Sequence, residues 1–207
     1  PDEFVVLHLL AVDNNDNYAK LLKALFESDE LKDKVIAFRR DLTVGEMRGK
    51  MLVLSRDKYA DEPYFGGFFE NWSEEFNNLS NRSRIIGAAG DDMNSSKFFV
   101  QDRANTNGDN AEKTRFMTNL LDFTTRHGIN GDPANIVWAM NFLSSYSKSS
   151  TSASYKSNAT FFNQKFVDYV SSDSYIPGPT GIVMMDWVGI DETNGNASVN
   201  AIIENNF

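Results

Sequence analysis

Four short apolar runs in this chain of 207 residues each close on a polar side chain that shares an alternating face with the hydrophobic residues before it. Leu52 and Leu54 are followed on their face by Arg56, and Phe98 and Val100 by Asp102. Val137 and Ala139 lead in the same way to Asn141, and Ile182 and Met184 to Asp186. If each run is a parallel strand whose first members pack a barrel, its last member points into the mouth at the C-terminal end, where such folds keep their sites. A guanidinium, two carboxylates and an amide converging on one cavity suit a polyhydroxylated, anionic ligand, because arginine grips phosphate oxygens while carboxylates accept from hydroxyls. The plainer alternative is that Arg56 pairs with Asp102 or Asp186 merely to cap the barrel, since a buried unpaired charge costs several kcal/mol, roughly. Recurrence of the pattern at four run ends favours a ligand.

The elements that must hold these groups are five apolar runs, at 3–12, 50–56, 97–103, 135–143 and 181–188. Each is mostly apolar, too short for a free-standing helix and flanked by Gly, Pro, Asn or Asp, the pattern of a strand buried on both faces. Between them the spacing predicts helices over 18–31 (Leu21, Leu22, Leu25, Phe26), 111–127 (Phe116, Leu120, Leu121, Phe123) and 159–170 (Phe162, Phe166, Val170), with a short one at 199–203. Alternation of strand and helix implies parallel pairing. Neither a repeat nor a linker divides residues 1–207, which read as one domain. Open sheets and closed barrels both fit the alternation, but no GxGxxG or P-loop supports a nucleotide-binding open sheet. A (β/α)8 barrel is the expectation, although 207 residues fall short of the about 250 of a complete one.

A formal charge of −9 argues against nucleic acid, whose phosphates need clustered Lys and Arg. Cysteine is absent, which removes thiol nucleophiles and thiolate metal sites, and the two histidines, His8 and His127, are too few for a His-rich metal centre. His8 reads as a core residue below Leu10, and His127 as a helix-terminal residue before Gly128, where partial positive charge meets the helix dipole favourably. No apolar run reaches the ~18 residues of a membrane span, and the Ser- and Asn-rich stretch 144–157 suits the solvated loops of an exported, secreted or cell-envelope protein. Tyr59, Tyr64, Phe65, Phe68, Phe69, Trp72, Tyr146, Tyr155 and Tyr175 in the intervening segments invite a membrane-surface reading. The alternative is that Phe68, Phe69, Trp72 and Phe76, at spacings of three to four, form the buried stripe of a short helix.

Taken in order, these segments resemble the bacterial phosphatidylinositol-specific phospholipases C. VGEMRGKMLVLSR (44–56) is similar to that family's Leu-Gly-Asp-x-Arg-Gly-Lys stretch leading into a strand that ends in arginine. FVQD (99–102), NFLS (141–144) and GIVMMDW (181–187) followed by VNAII (199–203) resemble its later strands and terminal helix, and PDEFVV (1–6) the start of its fourth strand. The resemblance runs end to end over the chain. It implies the last five strands of a TIM-like (β/α)8 barrel of the phospholipase C-like phosphodiesterase type, and cleavage of a phosphodiester between diacylglycerol and an inositol head group. By the same resemblance Arg56 and Asp102 bind inositol hydroxyls, and Asp186 orients one of two catalytic histidines. The histidine pair, and the phosphate-stabilising arginine or calcium site, belong to the family's first three strands, so this stretch is expected to need no cofactor of its own.

Two departures bear on specificity: the family's inositol-binding lysine falls on Leu10, and its sugar-stacking tyrosine on Ala104. The expected partners are a phospholipid or inositol-phosphate substrate, a membrane surface, and an N-terminal barrel segment or a second copy to cover the edges of a five-stranded sheet. Two other readings stay open at this point. One is a non-catalytic inositol- or sugar-phosphate-binding module, and the other a metal-dependent glycerophosphodiester phosphodiesterase-like enzyme.

Overall fold

The structure, a computed structural model, describes residues 3–10, 16–56, 66–72, 75–76, 82–87, 98–106, 109–128, 137–146, 155–188 and 195–206. Its contacts divide the chain into two compact units, Pro1–Trp72 with Ser83–Lys97, and Ser73–Arg82 with Phe98–Phe207.

In the first unit, β1 (Val5–Leu9) runs parallel to β3 (Met51–Ser55), in register from Val5 opposite Met51 to Leu9 opposite Ser55. The other edge of β3 is shared: β2 (Val35–Ile36) pairs with its first residues and β4 (Gly67–Asn71) with its last, both parallel. Residues opposite one another in a parallel ladder share a face. Leu7, Leu9, Met51 and Val53 pack on Leu22 and Phe26 of α1 (Asp16–Phe26). His8 and Leu54, which are register partners, therefore lie on the other face.

The turn into β3 explains much of the 44–56 motif locally. Thr43 caps the four-residue α2 (Val44–Met47) in a capping box: its Oγ1 accepts from Glu46 N at 3.3 Å, and the Glu46 carboxylate accepts from Thr43 N at 2.9 Å. The Thr43 amide and hydroxyl, and then the Arg39 guanidinium, hold the Glu46 carboxyl down at about 2. Gly49 then takes φ 71° and donates to Glu3 O at 2.7 Å, which aims the chain into β3. Thr43→Ala is expected to destabilise the protein by about 1 kcal/mol at neutral pH, read from the urea midpoint. Because Glu46 titrates below its ordinary range, its share of the box is present above pH 4.5 and lost as the pH falls toward about 2.

In the second unit β6 (Phe98–Gln101), β7 (Trp138–Phe142) and β8 (Ile182–Met184) are parallel. Phe99 and Ala139 pack on Leu120 and Phe123 of α3 (Asn110–Gly128), with Phe76 against both Phe99 and Phe123. Met117 and Leu121 of α3 meet Phe162, Phe166 and Val170 of α4 (Tyr155–Val170), Tyr175, and Ala201 of α5 (Gly195–Asn206). The period read from the sequence is thus the contact face of each helix.

All five expected strands and four expected helices form. β2, β4 and β5 (Arg82–Gly87) come in addition, and β5 runs antiparallel to β4, a departure from an all-parallel chain. The stripe Phe68, Phe69, Trp72 and Phe76 is not a helix. Gly67–Asn71 is strand β4, in which Gly67 and Phe68 pair with β3 and Phe69 with Ile85 on the other side, so the helical spacing is a coincidence.

Candidate functional site

At the C-terminal end of β3, Arg56 continues the ladder by donating its amide to Leu9 O at 3.0 Å. Its guanidinium lies 4.1 Å from the centroid of the Trp72 ring. His8, on the same face of β1, stacks on that indole at 4.9 Å and 13°, and Phe69 meets Trp72 edge-on at 4.7 Å. Arginine on an indole keeps its planar donor edge available while the aromatic face fixes its direction. His8 is half-buried and is an aromatic packing partner of Phe69 and Trp72 within the first unit.

In the second unit register decides which polar groups share a rim. Phe98, Val100 and the following Asp102 share a face with Trp138, Met140, Phe142, Ile182 and Met184, and the next step on that face after Met184 is Asp186. Asp102 and Asp186 are both half-buried at the ends of their strands. Asn141 belongs to the opposite face. It is fully buried, accepts from Gln101 Nε2 at 2.8 Å and donates from Nδ2 to Met117 O of α3 at 3.0 Å. The expectation that Asn141 lines the mouth is corrected: its alternation with Ala139 places it toward α3, where it ties β7 to the helix. The sequence assigned Val100 and Ala139 to one face, yet Val100 sits opposite Met140 in the ladder.

Sequence reasoning missed Lys113. It lies one turn before Phe116 and Met117 on the apolar stripe of α3, a position where a lysine is out of place, and this was the available signal. Its side chain is fully buried, and its ammonium donates to Arg103 O at 2.9 Å, Phe142 O at 2.8 Å and Ser144 O at 2.9 Å. Burial pushes its pKa down to about 8, and the negative charges of Asp102 and Asp186 oppose that shift. One cation thus feels both rim carboxylates. Neighbouring Arg103 is engaged by Glu75 and Glu112.

Trp187, directly after Asp186, takes φ 62°, a left-handed conformation that strains a bulky residue by about 1–2 kcal/mol. Asn163 of α4 donates to Asp186 O at 3.2 Å, holding the backbone at this bend. Of the aromatic residues read as membrane contacts, Tyr59, Tyr64 and Phe65 lie outside the described residues. Tyr175 belongs to the core, where burial raises its hydroxyl to about 12, and Tyr155 is exposed. Among the described residues no group of three or more His, Asp or Glu is placed to hold a metal ion. No helix among them is long and apolar enough to cross a membrane.

No family model matches the sequence, and no curated protein does. The fold does have solved counterparts. A phosphatidylinositol-specific phospholipase C from Staphylococcus aureus carrying pentafluoro-Phe superposes over 100% of this chain with TM-score 0.69 at 18% identity. Another structure of the S. aureus protein, from work on modulation of its membrane binding, gives 0.68 at 16%. The phosphatidylinositol-specific phospholipase C of Listeria monocytogenes gives 0.56 at 20%. The chain spans 66% of the length of the S. aureus chains and 65% of the Listeria chain. Its fold is that of a large part of these bacterial proteins.

Proposed function

We propose that this chain is the head-group-binding part of a phosphoric diester hydrolase of the phosphatidylinositol-specific phospholipase C type, acting on a phosphoinositide or a related head group. The observation that carries the reading is the pair of half-buried carboxylates, Asp102 and Asp186, just past the C-terminal ends of two parallel strands, within a fold matched over its whole length by such phospholipases. Arg56 ends β3 in the same manner and is braced on Trp72. In this reading Arg56 and Asp102 hold inositol hydroxyls. Asp186 orients a histidine that, with a second one, acts as base and acid on the 2-hydroxyl and the leaving alcohol. Neither imidazole comes from this stretch, so the chain alone is expected to bind without turnover.

Titration of myo-inositol 1-phosphate by calorimetry tests it. Arg56→Ala and Asp102→Asn are each expected to weaken binding by about tenfold or more, as loss of a charge-assisted hydrogen bond does. Wild-type affinity in both variants would refute the assignment. A non-catalytic binding module is the second reading, favoured by Leu10 and Ala104 standing where the phospholipases keep a lysine and a tyrosine. It predicts no product even when a segment supplying two histidines is added.

The same proposal includes a companion barrel segment or a second copy covering β1 and β8, at an exported, cell-envelope or membrane-surface location. β6 is buried throughout, whereas Val5 of β1 is 47% exposed and Met184 of β8 36%. Light scattering is expected to show a dimer or a complex with that segment, and a lone soluble monomer would count against it.

A further inference from the structure

Lys113 is placed against two ordinary preferences. It is fully buried, and it sits in the first turn of α3, where the helix dipole disfavours positive charge. What compensates is an irregularity in the β6–β7 ladder. Gln101 is opposite Asn141, but when pairing resumes Asn105 is opposite Tyr146, so β7 carries one residue more than β6 across this gap. An added residue of this kind leaves carbonyls without ladder donors. The ammonium takes Phe142 O and Ser144 O on the longer side and Arg103 O on the shorter one, spending all three of its protons. Gln101 Nε2 shares Phe142 O at 2.8 Å, so the amide layer beneath is tied into the same knot. The residues so fixed lie around the Asp102 rim position: Arg103 follows it directly, and Phe142 on the neighbouring strand comes next after Asn141, the register partner of Gln101.

An apolar residue would fill this space without the desolvation penalty but would leave the three carbonyls without donors, and the charge that donates to them also acts on its surroundings. The charged groups acting on the ammonium are Asp102 beyond β6 and Asp186 beyond β8. Arg103, close by on the chain, is neutralised by Glu75 and Glu112.

We propose that Lys113 is a positioning residue for the rim: its ammonium locks the irregular ends of β6 and β7 and provides the positive charge that holds the Asp102 and Asp186 carboxylates in place to accept hydrogen bonds. The last step rests on the head-group reading given above, whereas the charge coupling does not.

The test separates the two. In Asp102→Asn and Asp186→Asn, variants at half-buried positions outside the packed core, the NMR titration midpoint of the Lys113 side-chain nitrogen is expected to fall by roughly half a unit to one unit. In Lys113→Met affinity for myo-inositol 1-phosphate is expected to drop by about fivefold or more. A lysine that is merely structural would keep the wild-type midpoint in both aspartate variants. Unchanged midpoints in the two aspartate variants overturn the inference, even if Lys113→Met fails to fold. Shifted midpoints with unimpaired binding by Lys113→Met overturn the positioning role. Shifted midpoints with no binding by the wild-type protein uphold the coupling and sink the head-group reading instead.

Discussion

Between pH 8 and pH 10.5 the wild-type protein is expected to gain about 3 kcal/mol of stability relative to Lys113→Met, because burial holds the Lys113 pKa at about 8 against 10.5 for the exposed chain. In that window the unfolded lysine is protonated and the folded one is not, so the unfolded state binds more protons and stability rises with pH. Below pH 8 both states are charged and the full penalty of burying the ammonium is present. Above pH 10.5 neither is charged and the slope vanishes. Burial raises the Tyr169 and Tyr175 hydroxyls, which acts in the opposite sense above pH 10, since their neutral folded forms must ionise on unfolding. Both tyrosines remain in Lys113→Met, so the difference between the two urea-denaturation series isolates the lysine. Parallel pH profiles for wild type and variant would show that Lys113 is not desolvated as its burial implies.

Gly66→Ala is expected to destabilise the protein by about 3 kcal/mol or more, with loss of cooperative unfolding as its extreme form. A Cβ on Gly66 would lie 2.6 Å from Ile36 O, 2.9 Å from Val53 O and 2.9 Å from Leu52 Cδ1. Two of these three atoms are backbone carbonyls on β2 and β3, and they can retreat only by breaking the ladder those strands share. Gly66 itself accepts from Phe38 N at 2.6 Å, so its own backbone cannot swing out without losing that bond. Gly45→Ala provides the contrast. Its added methyl meets nothing nearer than Thr43 Oγ1 at 3.8 Å, and alanine suits the helix α2 better than glycine, so a neutral or slightly stabilising change is expected. Calorimetric melting of the two variants beside the wild type decides the matter. Equal melting points would mean that the β2–β3–β4 crease is looser than its geometry.

Much of this molecule was legible one segment at a time. The strands around Leu52–Leu54, Phe98–Val100 and Ile182–Met184 and the helices carrying Phe116–Leu121 and Phe162–Val170 form where periodicity places them, because burying an apolar face is a local demand that sequence spacing records. The polar residues that end those strands, Arg56, Asp102 and Asp186, could be picked out for the same reason. β4 and β5 were not legible. Gly67–Asn71 becomes a strand only because β3 offers it an edge, and Arg82–Gly87 only because β4 does in turn.

The amino-acid order by itself determined which residues alternate within each strand and which line each helix, since backbone geometry sets those periods. Only tertiary structure decided which alternate face looks toward the helices. Alternation within β6 and within β7 leaves their relative register free, and a shift of one residue exchanges the two faces, which is how Asn141 came to bind α3 while Val100, two residues before Asp102, and Met184, two before Asp186, lie on the opposite face. The same cross-strand freedom, with β7 one residue longer than β6 across the gap, made a buried ammonium the donor for carbonyls that no ladder could reach.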